Sequence, residues 1–125
     1  MRRVRFLAQG RLHHGTWGEE VLLDESGRAW RPDDVTWLPP VTPSKILAFA
    51  LTYADHAAEL GVGRPEEPVL FLKPPSALVG HRAPVVYPTG VEYLHYEAEL
   101  AVVIGRRCRR VRPEAARDVV KGYTV

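Results

Sequence analysis

The sequence has little of what several classes of protein require. It contains one cysteine, Cys108, so an intramolecular disulfide and a cysteine-rich zinc site are both excluded. Its longest apolar run, residues 100–104, is far shorter than the roughly 20 residues that span a bilayer. The arginines near the N-terminus are not followed by an apolar stretch, so no secretory signal is predicted. We therefore expect a cytoplasmic protein with no membrane partner.

The charge is nearly balanced, because 17 Lys and Arg against 15 Asp and Glu leave a formal charge of +2. A hydrophobic content of 46% is typical of an ordinary soluble domain. Five arginines are clustered within residues 106–112. Such a basic cluster could bind phosphate, but no aromatic residues interleave it and a solvated turn explains it as well. We expect no nucleic-acid partner. The cluster comprises Arg106, Arg107, Arg109, Arg110 and Arg112.

The first 40 residues predict a small β-domain. Apolar stretches at 4–8 and 21–23 alternate with turn signals at Gly10, at His14-Gly15 and at residues 24–27, which together indicate a β-meander. Three prolines within residues 38–43 lack the backbone donors of a strand ladder and predict a linker.

A second unit, residues 43–125, predicts strands with few helices. A short helix is expected with Asp55 as its N-cap and Gly61 as its end, and Pro113 indicates the first turn of another. The fold class predicted is therefore α+β with β predominant. The expected elements are strands at 45–51, 69–72 and 91–105, the last being the longest, and helices at 55–60 and 113–121.

Two carboxylates stand out in the third of these strands. Period-two alternation would place His95, Glu97 and Glu99 on one face, next to a stretch that is apolar on both faces and therefore expected to be buried. Like charges about 7 Å apart repel each other unless a cation or a proton neutralises them. Mg²⁺ or Mn²⁺ would do so, although a solvated strand face explains the spacing equally well. His95 could be a further ligand or a partner of one.

Two other positions could carry chemistry. His56 and Glu59 have the i, i+3 spacing that places an imidazole and a carboxylate on one helix face, where the pair could move a proton near neutral pH. On spacing alone, an exposed helix turn explains them better. Lys73 ends an apolar strand and could reach a bound carboxylate, or it could simply be solvated. The three tryptophans are expected in the core or at an interface.

Four segments in the same order closely resemble the fumarylacetoacetate hydrolase family. They are Tyr53-Ala54-Asp55-His56-Ala57-Ala58-Glu59 with the preceding Lys45-Ile46-Leu47, then residues 65–74, residues 96–105 and finally Gly122-Tyr123-Thr124-Val125. The resemblance covers residues 43–125. The first 40 or so resemble the small β-domain of some members, especially 2-hydroxyhepta-2,4-diene-1,7-dioate isomerases and the related decarboxylases of homoprotocatechuate breakdown.

The resemblance implies an enzyme that acts on small 2-oxo acids with Mg²⁺ or Mn²⁺. Glu97 and Glu99 would be two of three carboxylate ligands, and His56 with Glu59 would be a proton-transferring pair on a lid. Lys73 would lie beside the site and contact substrate. The metal would hold the 2-oxo acid and stabilise the enolate formed during isomerisation, decarboxylation or C–C cleavage. Acylpyruvate hydrolase and oxaloacetate decarboxylase activities are the alternatives within the family.

Two departures from the family pattern matter. Thr52 stands where the family usually has Asn. In family members the segment that carries the third acidic ligand follows the last motif, and that segment is not in this sequence, whose last residue is Val125. We therefore expect the chain to be a fragment, a split-gene product or a remnant. The resemblance implies a homodimer for the complete enzyme. A non-catalytic half that binds a second polypeptide carrying the missing half is the alternative from a different functional class.

Overall fold

The computed structural model describes residues 1–59, 61–63 and 65–125, without the side chain of His56. The described residues divide into two compact units, Met1–Val85 and Val86–Val125. None of the described helices has the length and apolar character that a membrane crossing requires. Strands predominate over helices, which confirms the predicted class. The strands are β1 Arg2–Ala8, β2 Arg11–Trp17, β3 Leu22–Asp24, β4 Ala29–Trp30, β5 Thr36–Leu38, β6 Ile46–Ala50, β7 Val69–Lys73, β8 Ala101–Ile104 and β9 Val120–Thr124.

The predicted β-meander is confirmed as the sheet of β1 to β5. Its strand order is β4-β3-β2-β1-β5, so four consecutive strands form the meander and β5 returns to the free side of β1. Gln9 and Gly10 both have positive φ and close the two-residue turn between β1 and β2, because such turns match the twist of the paired strands. The predicted break at Gly10 is therefore confirmed.

The turn predicted at His14-Gly15 is wrong, because both residues lie within β2. A Cβ on Gly15 would collide with the backbone carbonyl of Leu23 in the neighbouring strand. The glycine therefore permits a close approach of two strands, which is a common reason for glycine within a strand.

The core of the first unit lies on one face of the meander. Phe6 and Leu22 are fully buried, and Trp30 and Trp37 are nearly so. Trp17 packs against the edge of this cluster and contacts Trp37 with ring centroids 5.0 Å apart. The expectation that the tryptophans are core residues is thus confirmed for Trp30 and Trp37, with Trp17 partly buried beside them.

A hairpin of β6 and β7, with a short helix between them, follows the proline-rich linker. The helix, α1, spans Ala54–Glu59, so Asp55 lies in its first turn and the prediction of Asp55 as N-cap is wrong by two residues. Gly61, with φ +66°, ends the helix as predicted, and the N–H groups of Gly61 and Val62 donate to the carbonyls of Ala58 and Ala57. Such bonds satisfy the last helical carbonyls.

The segment after β7 returns to the meander within the first unit. A 3₁₀ helix, Pro75–Ala77, leads to Gly80, where a Cβ would collide with the backbone carbonyl of Trp37. His81 packs against the Trp37 ring at 4.9 Å between centroids, and Arg82 forms an ion pair with Asp33. The predicted division into domains 1–40 and 43–125 stays a prediction.

The second unit contains the two-stranded antiparallel sheet of β8 and β9 and a 3₁₀ helix, Pro113–Val119. Pro113 begins this helix as predicted, but the predicted end at Lys121 is wrong, because residues from Val120 onward pair with β8. The predicted long strand 91–105 is also wrong. Only Ala101–Ile104 of this stretch pairs with β9, and residues 91–100 are not part of a strand.

Candidate functional site

The helix α1 carries the first candidate pair. Glu59 and the backbone of His56 both belong to the helix, so the predicted i, i+3 placement on a helix is confirmed for the backbone. The side chain of His56 lies outside the described residues. Ala57, between them, is buried, whereas Ala58 and Glu59 are exposed. The helix thus buries one small residue and leaves Glu59 accessible.

Lys73 is the last residue of β7 and pairs with Ile46 of β6. Its side chain is exposed, and its Nζ lies 5.8 Å from the centroid of the Phe71 ring on the same face of the strand. Pro74 follows, and its carbonyl accepts a hydrogen bond from the N–H of Ala77 at 2.9 Å. The strand and the turn define where the lysine leaves the backbone, and its ammonium group is available to an anionic ligand.

The paired carboxylates lie immediately before β8, in a segment that is not a strand. Glu97 and Glu99 are both exposed, and so is His95. The expectation of a buried strand face is wrong, because the ladder with β9 begins only at Ala101. Even within β8, Val102 and Ile104 are about half exposed, since a two-stranded sheet with uncovered faces cannot bury its side chains.

The candidates fall into two groups along the chain. His56, Glu59 and Lys73 belong to the first unit, and Glu97 and Glu99 belong to the second. Within the described residues, no three or more His, Cys, Asp or Glu side chains are grouped so that they could hold a metal ion. The two carboxylates are hard oxygen donors of the type that Mg²⁺ and Mn²⁺ prefer, and such ions keep waters or substrate oxygens in their other positions.

A polar cluster in the meander was not predicted from the sequence. One oxygen of Asp24 accepts hydrogen bonds from Trp30 Nε1 at 2.9 Å and pairs with His13 Nδ1 at 3.1 Å. The other accepts from Ser26 Oγ and from the backbone N–H groups of Ser26 and Arg28. The hydrogen bond from the Ser26 hydroxyl, then that from Trp30, holds the pKa of the Asp24 carboxyl well below its usual range.

The surroundings of this cluster indicate a structural role. The His13 ring stacks on Phe6 at 5.2 Å with an interplanar angle of 9°, and the Asp24 side chain is 6% exposed. A carboxylate with little exposed area and this many donors joins three strands of the meander. The sequence signal for it was the Asp-x-Ser turn at residues 24–26, whose aspartate commonly accepts bonds from the residues that follow it.

Comparison with known proteins identifies the family. Residues 45–125 match the family described as fumarylacetoacetate (FAA) hydrolase C-terminal. The chain belongs to this family. It is 45% identical over 123 residues to an uncharacterized protein of Archaeoglobus fulgidus, covering 96% of this chain and 48% of the relative. It is 52% identical over 123 residues to the Escherichia coli homoprotocatechuate catabolism bifunctional isomerase/decarboxylase, covering 98% of this chain and 27% of that protein.

Two solved structures have a similar backbone. The 5-carboxymethyl-2-hydroxymuconate delta-isomerase of Mycobacterium smegmatis superposes with a TM-score of 0.81 at 36% identity, over 98% of this chain and 52% of that one. The 2-hydroxyhepta-2,4-diene-1,7-dioate isomerase of Mycobacterium marinum superposes with a TM-score of 0.80 at 30% identity, again over 98% and 52%. The chain therefore spans about half the length, or less, of these relatives.

Proposed function

We propose that this chain contributes to a metal-dependent isomerase or decarboxylase of 2-oxo and 2-hydroxydiene dicarboxylic acids in aromatic catabolism, with 2-hydroxyhepta-2,4-diene-1,7-dioate as the leading substrate. The observation that carries the proposal is the 52% identity to the Escherichia coli isomerase/decarboxylase across nearly the whole chain. Both solved neighbours named above are isomerases of closely related dienoic acids. The resemblance supports a homodimer as the working assembly.

In this proposal each candidate residue has one task. Glu97 and Glu99 would hold Mg²⁺ or Mn²⁺, and their donor type fits such an ion. The bound cation would supply Lewis-acid polarisation of the 2-oxo group. The ammonium group of Lys73 would pair with a carboxylate of the substrate, which orients the acid and offsets its charge.

Proton transfer would fall to the pair on α1. A carboxylate one helical turn from an imidazole can orient the ring and raise its basicity, so that it accepts and returns a proton near neutral pH. Isomerisation of a dienol moves one proton from oxygen to carbon, and decarboxylation delivers one to the carbon that loses CO₂. Both reactions thus need the same pair, His56 and Glu59, which is why one site could serve either.

A chimera tests this function directly. The 125 residues would replace the matched portion of the Mycobacterium smegmatis isomerase. Turnover in Mg²⁺ or Mn²⁺ would be followed by the loss of conjugated-diene absorbance for the dienedioate, and by chromatography of the products for acylpyruvates and oxaloacetate. We expect turnover on 2-hydroxyhepta-2,4-diene-1,7-dioate that exceeds turnover on acylpyruvates and on oxaloacetate. A chimera that prefers either of the latter would replace the proposed reaction by that alternative.

Two sets of variants separate the proposed roles. Glu97→Ala with Glu99→Ala should abolish both turnover and Mg²⁺ binding measured by calorimetry, whereas Glu92→Ala, an exposed carboxylate in the same segment, should leave both intact. His56→Ala should lower kcat by roughly 10²–10⁴ fold with little effect on Mg²⁺ binding. Equal Mg²⁺ binding in the double variant and in Glu92→Ala would remove the metal site from the proposal.

A further inference from the structure

A loop of the second unit concentrates positive charge. It connects β8 to the 3₁₀ helix Pro113–Val119, and all of its residues, 105–112, are exposed. We call this segment the arginine loop. Residues 105–121 contain seven Lys and Arg against two Asp and Glu, a formal charge of +5, whereas the whole chain carries only +2. The excess positive charge of the protein is therefore located in the arginine loop and in the helix and strand that follow it.

The chain neutralises little of this charge. Among the described residues, Arg112 forms an ion pair with Glu114 at 3.2 Å, and because both side chains are well exposed the pair is weak. The other four arginines of the loop have no carboxylate partner in the part of the chain that the structure describes. Like charges so close together repel one another unless an external anion offsets them. The four are Arg106, Arg107, Arg109 and Arg110.

The backbone of the loop offers further donors. The N–H of Gly105 donates to the carbonyl of Val119 at 2.7 Å, which fixes the point where the loop leaves β8. Within the described chain, the N–H groups of residues 106–111 donate to no carbonyl. Arg110 has a φ of +53°, which bends the backbone, and successive N–H groups at a bend can form a concave donor site for an anion. A Cβ on Gly105 would lie 3.1 Å from the Cβ of Lys121, so a further cation leaves the backbone at the base of the loop.

The composition of the loop restricts the kind of anion. Its cations are all arginines, whose planar guanidinium groups bind phosphate oxygens with two parallel hydrogen bonds. The loop has no aromatic ring on which a nucleic-acid base could stack. Its only aliphatic side chain is Val111, which is 37% exposed, so the loop also lacks the large apolar anchors of a protein interface. These features favour a ligand that is recognised by its charge and its phosphate geometry alone.

We propose that the arginine loop binds a chain of linked phosphate groups, either an inorganic oligophosphate or the polyphosphate of a nucleotide. Neighbouring arginines each contact one phosphate, and once the first phosphate is bound the covalent link holds the next at a high effective concentration. A single phosphate lacks this advantage, so the affinity rises with the number of linked phosphates. The site uses none of the residues to which the isomerase or decarboxylase function is assigned.

Calorimetry with inorganic tripolyphosphate tests the site in the intact 125-residue chain. Divalent ions are left out, so that phosphate cannot bind through a metal ion at Glu97 and Glu99. The salt concentration is kept at about 50 mM, where screening is modest. We expect saturable 1:1 binding of tripolyphosphate that is at least tenfold tighter than the binding of orthophosphate.

Matched pairs of substitutions assign the binding to the loop. Arg109→Ala with Arg110→Ala should weaken tripolyphosphate binding at least tenfold. Arg109→Lys with Arg110→Lys keeps the charge but loses the bidentate geometry, and should weaken it by about threefold. Arg3→Ala with Arg11→Ala removes the same charge from exposed positions on β1 and β2 and should change the affinity less than twofold. Amide exchange of the β8–β9 ladder verifies that each variant keeps its fold, and the lysine pair replaces the alanine pair if the latter loses protection.

A second probe, ATP, separates the two sources of linked phosphates. Equal affinities for ATP and tripolyphosphate would support the phosphate chain alone as the ligand, and ATP binding more than tenfold tighter would support a nucleotide. Absence of tripolyphosphate binding would overturn the proposal, as would equally tight orthophosphate or equal weakening by the Arg3 and Arg11 pair. A short oligouridylate that binds more than tenfold tighter than tripolyphosphate would also overturn it and assign the loop to nucleic acid. None of these outcomes depends on turnover.

Discussion

The β-meander and the β6–β7 hairpin contain similar apolar strands but differ in how these are buried. In the meander, Phe6 and Leu22 are fully buried and a carboxylate bridges the strands. In the hairpin, all five residues of β7 are exposed. The difference lies in the number of paired strands, five against two. Apolar content along a strand thus does not decide burial, because burial requires neighbouring strands and a covering layer.

The largest expected effect contrasts one core side chain of the meander with one exposed side chain of the β6–β7 hairpin. Phe6→Ala removes a ring that is 0% exposed and should lower the free energy of unfolding by about 3–5 kcal/mol. Leu72→Ala, at a position 67% exposed, should change it by less than about 0.5 kcal/mol.

Tryptophan fluorescence during urea unfolding measures the first effect, because all three tryptophans lie in the meander. Exchange of the β6–β7 amides measures the second. Similar losses in both variants would mean that the hairpin is as well packed as the meander, and the comparison between the two regions would fail.

A pair of strand glycines should give the next largest effect. A Cβ at Gly15 would collide with the Leu23 carbonyl, whereas in the described chain no atom lies within 4 Å of a Cβ at Gly122 in β9. Gly15→Ala should therefore cost about 2–3 kcal/mol because the backbone must move. Gly122→Ala should cost nothing, or stabilise by roughly 0.5 kcal/mol through the unfolded state.

Hydrogen exchange of the β2–β3 and β8–β9 amides reads out the two glycine substitutions separately. If Gly122→Ala reduced the protection of β8–β9 as much as Gly15→Ala reduces that of β2–β3, then β9 would be crowded on the side that the structure leaves open.

The sequence predicted the meander, the proline-rich segment that follows it and the strands on either side of α1, because each depends on local signals. It did not predict that these two strands pair as a hairpin. Gly10, the prolines of residues 38–43 and Gly61 act through their own backbone preferences, which hold in any context. The strand 91–105 was predicted wrongly because alternation alone does not supply a partner, and pairing with β9 covers only Ala101–Ile104. Strand pairing is a tertiary property, so the local pattern overestimated its length.

The candidate site shows the same division between local and tertiary information. The i, i+3 spacing of His56 and Glu59 requires only a helix, which the structure confirms. The cluster around Asp24 was missed because His13 and Trp30 reach it from strands on either side of β3. Local turn chemistry predicts that an aspartate at this position accepts bonds from Ser26 and Arg28, but not which strands become its neighbours.

An intermediate effect is expected from removing the charge at the centre of that cluster. Asp24→Asn should lower the thermal midpoint of the meander by on the order of 5–10 °C at pH 7, since the amide cannot accept the same set of donors. Asp34→Asn is the control, because Asp34 is exposed and only loosely paired with Arg31 at 3.9 Å. An equal midpoint in the two variants would remove Asp24 from the account of stability.

The pH dependence of this effect has a definite sign. Because folding depresses the pKa of Asp24 from its usual 3.8, its contribution is fully present above that value and is lost as the pH falls below it toward the folded pKa. The difference in midpoint between the wild-type chain and Asp24→Asn should thus shrink as the pH falls below about 4. A constant difference from pH 7 down to pH 2 would contradict the assigned charge.

The smallest effect concerns the segment that returns from the hairpin to the meander. The His81 ring packs at 4.9 Å and 5.5 Å from the rings of Trp37 and Trp17, and aromatic contacts of this kind contribute about 1 kcal/mol. His81→Ala should therefore reduce stability by roughly 1 kcal/mol and change the tryptophan emission of the native state. His14→Ala, an exposed histidine within β2, should do neither. Identical emission in the two variants would show that residues 80–82 do not pack on the meander in solution, and the hairpin would then be even less anchored than the comparison of the two regions assumes.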